Sequence, residues 1–150
     1  MIITSDAGFG HRSAALSVSK ALKVLYPNQV EILVTNPIQE TNTPTVMKPI
    51  EKGYDRSVRF SPGLYRLSYE VSDSRLVSEI VEGALTLMLQ RIMAETIRDF
   101  KPDVILNTNE MFNTPIGKVL QETDPKVPSF TVVTDLADVH SLWFAPEPDL

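Results

Sequence analysis

Short apolar runs and helical stripes alternate along this chain. Met1–Thr4 is apolar and partly β-branched, the pattern of a strand buried on both faces. From His11 to Leu25 apolar residues recur at Ala14, Ala15, Val18, Ala21, Leu22 and Leu25, a helical stripe that Pro27-Asn28 stops. Val30–Thr35, "VEILVT", predicts a second strand. Asn36–Pro49 is rich in Pro, Thr and Asn and predicts a loop. Ile50–Phe60 and Leu64–Val71 predict two short helices split by Ser61-Pro62-Gly63. Leu76–Phe100 is the strongest helix, with Ile80, Val81, Ala84, Leu85, Met88, Ile92 and Ile97 in helical register and Lys101-Pro102 as its stop. Asp103–Asn107 predicts a third strand. Thr114–Glu122 predicts a helix with Pro115 suited to its first turn. Pro128–Thr134 predicts a fourth strand.

Strands that are apolar runs and alternate with helices imply a parallel sheet covered on both faces. The expected fold is therefore α/β, a Rossmann-like three-layer sandwich. Ligands of such sheets bind beyond the carboxyl ends of the strands. Ser5–Arg12, Asn107–Asn113 and Asp135–Trp143 each follow a strand and should share that rim.

The first of these segments carries chemistry. Gly8-Phe9-Gly10-His11-Arg12 stands between a strand and a helix, where glycines permit positive φ and close backbone approach to a ligand. As a dinucleotide fingerprint it is incomplete, because Ser13 holds the third glycine position and the second strand ends in Thr35-Asn36 with no acidic residue. No Gly-Lys-Ser/Thr follows, which excludes a P-loop. A tight turn without a ligand also satisfies the pattern. His11 falls at the helix N-terminus, whose positive end favours a neutral ring, the form a general base needs. Arg12 beside it could hold an anion or serve as a surface charge.

Asp135, Asp138 and His140 form a second cluster, within "TDLADVHSLWFAP". Their spacing matches no strong metal signature, and acid–base pairing or a capped loop are both open. Trp143 can line a pocket or close the core. Asn107, Asn109 and Glu110 are polar rim residues, where an Asn can orient a sugar or cap the next helix.

The 150 residues amount to about one domain, and cysteine is absent, which excludes disulfides and thiol chemistry. No apolar run is long enough to span a bilayer, and no signal peptide stands at the start. The net charge of −5 argues against nucleic acid as a partner. The charge is uneven. Met47–Tyr69 carries a net +3, leaving −8 elsewhere. A solvated helix face with i,i+4 pairing explains such a segment, and so does an anionic membrane surface. Lys48, Lys52, Arg56 and Arg59 would face that surface together with Tyr65.

Three stretches taken together are specific: "SDAGFGHRSAA" near the start, "PGLYRLSYEVS" in the middle and "VVTDLADVHSLWFAPEPDL" at the end. In order and spacing they resemble the N-terminal domain of the monogalactosyldiacylglycerol synthase family. The bacterial processive diacylglycerol glucosyltransferases belong to the same group, and the peptidoglycan N-acetylglucosaminyltransferase is a more distant relative. The resemblance implies the acceptor half, residues 1–150, of an inverting GT-B glycosyltransferase, with the UDP-sugar held by a C-terminal domain outside this chain. It implies that His11 is the catalytic base. Gly8, Phe9, Gly10, Arg12, Asn109, Asp135, His140 and Trp143 would then surround a diacylglycerol-type acceptor. It further implies UDP-sugar as a co-substrate, no tightly bound cofactor, no metal, and a place on the cytoplasmic face of the cell membrane.

Two departures stand out. Many relatives carry Gly-Gly-Gly-His where this chain has Phe9, and a His-Pro pair where it has Asn109-Glu110. The chain also stops without a closing element and starts inside its first strand, as part of a larger protein would. A non-catalytic lipid-surface module and a nicotinamide-dependent oxidoreductase domain remain alternative readings.

Overall fold

The computed structural model describes residues 1–6, 9–39, 75–123, 126–135 and 139–144. Four parallel strands form one sheet: β1 (Ile2–Ile3), β2 (Val34–Thr35), β3 (Ile105–Asn107) and β4 (Ser129–Thr131), in the spatial order β2-β1-β3-β4. β1 is central. Ile2 pairs with Val34 on one side and Leu106 on the other, and Ile3 with Thr35 and Asn107. Among the described residues β4 pairs with β3 alone. The predicted strands are longer than the observed ones, because a ladder exists only where neighbours overlap. Val30 and Glu31 lie exposed ahead of β2.

Helix α1 (Phe9–Leu25) links β1 to β2 and packs against both. Helices α2 (Arg75–Phe100) and α3 (Asn113–Thr123) pack on each other. The chain runs outward from β1 to β2 through α1, and from β3 to β4 through α3. Right-handed crossovers in opposite directions place α1 and α3 on opposite faces of the sheet. The main core, built from Met1, Ile3, Ile38, Leu89, Met93, Ile97, Ile105, Phe112, Ile116, Val119 and Leu120, fills the α2/α3 side and contains no α1 residue. This is the three-layer α/β arrangement expected from the alternation of elements.

Local signals account for the helix ends. α2 stops at Lys101, whose amide donates to the Ile97 carbonyl at 2.8 Å and whose φ of 51° is left-handed. Pro102 then cannot continue the helix. The inward stripe of α1 is His11, Ala15 and Ser19, all buried, with Ala14, Val18 and Leu22 half-buried beside it. Ala21 and Leu25, predicted to face inward, are exposed instead. Small residues on the inward line let the helix lie close to the strands and bring His11 over their ends.

Two expectations are corrected. Phe9 and Gly10 belong to the first turn of α1 and not to a loop before it. The run predicted as a buried fourth strand is not buried: Phe130 in β4 and Val133 just beyond it are 58% and 45% exposed, because β4 stands at the end of the described sheet. The two short helices predicted over Ile50–Phe60 and Leu64–Val71 lie outside the described residues.

Candidate functional site

The carboxyl ends of β1, β3 and β4 converge as predicted. Past β1, the buried Ser5 Oγ accepts a hydrogen bond from Asn109 Nδ2 at 2.9 Å. Thr4 and Thr108 join their hydroxyls at 2.9 Å. Past β3, Asn107 turns back on its own chain: its Nδ2 donates to the Asn109 carbonyl and its Oδ1 accepts the Asn109 amide. Asn109 caps a short 3-10 turn, Glu110–Phe112, by accepting the Met111 amide at 3.0 Å. Thr4, Ser5, Asn107, Thr108 and Asn109 are all buried, so each partner their side chains find offsets a desolvation cost.

His11 sits in the middle of this rim and is 8% exposed. Its Nδ1 lies 2.7 Å from the Thr108 carbonyl oxygen and 2.8 Å from Thr134 Oγ1. A carbonyl only accepts, so Nδ1 carries the hydrogen and donates it to Thr108, with the Thr134 oxygen sharing it. That tautomer leaves the lone pair on Nε2. Glu110 Oε2 lies 3.9 Å from Nε2. A fixed imidazole with a bare Nε2 at the carboxyl edge of a sheet is the arrangement a general base requires.

Trp143 stands beside it. The two ring centroids are 6.3 Å apart and the planes tilted by 41°. Trp143 is buried, and its indole N–H donates to Asp135 Oδ2 at 2.6 Å. It belongs to a second 3-10 turn, Ser141–Phe144. His140 precedes that turn and caps it, with Nδ1 accepting the Leu142 amide at 3.2 Å and its carbonyl accepting the Trp143 amide at 3.1 Å. A ring nitrogen that accepts is unprotonated, so the neutral His140 carries its hydrogen on Nε2, opposite to His11.

Asn113, at the start of α3, ties the turn to the sheet. Its Nδ2 donates to the carbonyls of Leu142 and Trp143, and its Oδ1 accepts from Asn107 Nδ2 and Thr131 Oγ1. Arg12 is held in an exposed ion pair with Asp6, which also receives Asn36 Nδ2. Asn36 stands where a dinucleotide-binding strand would end in an acidic residue, and its Oδ1 is engaged with the Ile38 amide.

Glu110 has the perturbed chemistry of the site. Burial pushes its carboxyl above the ordinary range. A backbone hydrogen bond at Glu110 itself and the charges of His11 and His140 pull the other way, and Asp135 adds to the upward push. Its Oε2 is buried and has no hydrogen-bond partner among the described residues. Sequence reasoning placed Glu110 on the rim without a role. Its one signal is that no other acidic residue stands between Asp103 and Glu122.

The structure thus brings His11, Asn109, Glu110, Thr134, Asp135, His140 and Trp143 to one place and adds Thr108 and Asn113. Gly10 is exposed in α1, and a Cβ built there meets nothing within 4 Å. Gly8 and Asp138 lie outside the described residues, as do Lys48, Lys52, Arg56, Arg59 and Tyr65. Among the described residues no three His, Asp or Glu side chains are placed to hold a metal ion.

Residues 11–150 match the family described as monogalactosyldiacylglycerol (MGDG) synthase. The chain belongs to that family. Similar members include the monogalactosyldiacylglycerol synthase of Spinacia oleracea, 27% identical over 149 residues, and the probable monogalactosyldiacylglycerol synthase of Nicotiana tabacum, 25% identical over 146 residues. Monogalactosyldiacylglycerol synthase 1 of Arabidopsis thaliana is 24% identical over 146 residues. Each alignment takes in 96% of this chain but only 27–28% of the relative, so the chain spans little more than a quarter of their length. No solved structure matches the chain. The matched range includes His11, Thr108, Glu110, Thr134, Asp135, His140 and Trp143.

Proposed function

We propose that this chain is the acceptor-binding part of a glycosyltransferase that moves a hexose, galactose or glucose, from a UDP-sugar to diacylglycerol or a related lipid. The observation that carries the reading is His11, held in one tautomer by Thr108 with Nε2 bare at the strand ends, in a chain of the MGDG synthase family.

The chemistry follows from what a hydroxyl needs. An alcohol is a weak nucleophile until a base removes its proton. His11 Nε2 takes the proton as the O–H bond breaks. The oxygen's electron pair forms the bond to the anomeric carbon. The bond from that carbon to the UDP oxygen breaks with its electrons, and attack from the opposite face inverts the configuration. Trp143, tilted against the imidazole, offers an apolar face beside the reacting hydroxyl. UDP would be met by residues outside this chain.

A lipid acceptor implies work at a membrane surface, and the basic, aromatic-rich segment 47–69 is the proposed contact on the cytoplasmic face. No helix among the described residues is long and apolar enough to cross a membrane.

The test is a panel of radiolabelled UDP-sugars offered to the full-length protein with diacylglycerol in mixed micelles. Transfer of a hexose to diacylglycerol supports the reading, with His11→Ala as the control. No labelled lipid from any donor, with a folded protein, overturns it.

A further inference from the structure

We propose that Glu110 is the counter-charge to the proton His11 accepts, a positioning residue that makes His11 a stronger base. The inference rests on the reading of His11 as the base.

The geometry carries it. One side of the His11 ring is fully engaged, with Nδ1 on Thr108 and Thr134. The other side presents Nε2 to a carboxylate oxygen, Glu110 Oε2, at 3.9 Å. That distance exceeds a hydrogen bond but leaves room for one hydroxyl oxygen against both atoms. A buried carboxylate oxygen with no hydrogen-bond partner is costly, and a fold of this size keeps few of them. Asn109, one residue before it, has both side-chain atoms engaged, in Ser5 and in the Met111 amide. The 3-10 turn it caps therefore holds the Glu110 backbone in place under the imidazole.

Proton transfer then becomes a charge-balanced event. Before it, the ring is neutral and Glu110 carries the negative charge. After it, the proton sits on Nε2 and faces that charge inside a buried pocket, where such a pair interacts far more strongly than in water. No covalent bond to Glu110 forms. Among the described residues, the charged or titratable groups that act on the carboxylate are His11 on α1, Asp135 beyond β4, and His140 ahead of the second 3-10 turn. Asp135 is held back by the Trp143 indole. Among the described residues Glu110 is thus the carboxylate that faces Nε2.

The experiment is the pH profile of kcat/KM for the full-length wild type, Glu110→Gln, Glu110→Asp and His11→Ala, with UDP-hexose and diacylglycerol. Glutamine keeps the shape and removes the charge. It should lower kcat roughly tenfold near neutrality and move the acid limb of the profile down by about one pH unit. Glu110→Asp, with its charge one methylene further back, should fall between. A side chain that merely supports the fold would lower the rate without moving the limb. If His11→Ala is inactive and the limb of Glu110→Gln coincides with that of the wild type, the counter-charge is overturned and the base stands. If His11→Ala turns over at the wild-type rate, the base is overturned and this inference with it.

Discussion

The Nδ1 atom of His11 lies 2.7 Å from the carbonyl oxygen of Thr108, a residue 97 positions away in the chain. This one bond joins the first turn of α1 to the end of β3 and decides which imidazole nitrogen is available for chemistry. The first prediction follows from it. His11→Ala should lower the transfer rate of the full-length protein by about two to four orders of magnitude. Its circular dichroism should stay that of the wild type. A residual rate within a few-fold of the wild type would show that another group removes the proton.

The two histidines of the sequence should be opposite tautomers when neutral. His11 should carry its hydrogen on Nδ1, where it meets Thr108, and His140 on Nε2, because its Nδ1 accepts the Leu142 amide. A long-range nitrogen–proton correlation spectrum of histidine-labelled protein resolves both rings. The same tautomer at both sites would contradict the arrangement around Nε2.

Asn113→Ala should be among the more destabilising polar substitutions. It removes donors to Leu142 and Trp143 and leaves Asn107 Nδ2 and Thr131 Oγ1 without an acceptor at that position. The expected loss is about 2–3 kcal/mol in denaturant unfolding. Trp143, the sole tryptophan of the chain, should report loosening of its turn as a red-shifted emission.

Glu110→Gln should stabilise the fold at neutral pH. Burial raises the carboxyl above its ordinary value of 4.5, so the folded state holds the proton to higher pH than the unfolded chain does. The stability linked to that proton is fully present below about 4.5 and is lost as pH rises through the folded value. Glutamine does not titrate. The advantage of the variant should therefore be smallest in acid and grow as pH rises through that window, read as the difference in unfolding midpoints. A difference that stays constant across the window would show that burial does not penalise this charge.

Gly10→Ala separates stability from binding. The site is helical and open, so alanine should add about 0.5–1 kcal/mol of stability. If the acceptor passes over the first turn of α1, the KM for the lipid should rise in the same variant. Unchanged kinetics would place the acceptor elsewhere on the rim.

The sequence by itself determined what short-range periodicity can encode. Apolar runs at Met1–Thr4 and Asp103–Asn107 and the stripe of Leu76–Phe100 specify strands and helices, because side-chain direction repeats every two or 3.6 residues. Their alternation specifies a parallel sheet with a rim at the carboxyl ends of its strands, and the glycine–histidine segment marks where on the rim to look. Proline and the left-handed Lys101 end elements where the sequence says they should end.

What surrounds Nε2 was decided only by the tertiary structure. Thr134, which shares the His11 hydrogen, lies 123 positions away, and Asn113 reaches 29 and 30 positions to hold Trp143 in place. Glu110 shows no local periodicity to set it apart, and nothing in its neighbours announces that its Oε2 will be buried facing an imidazole. The exposure of β4 was equally hidden, since an apolar run looks the same in the middle of a sheet and at its end. Periodicity fixes the direction of a side chain relative to its own backbone, while a catalytic contact depends on the distance between separate elements. That distance is set by how α1, β3 and β4 pack, and no stretch of sequence read by itself contains it.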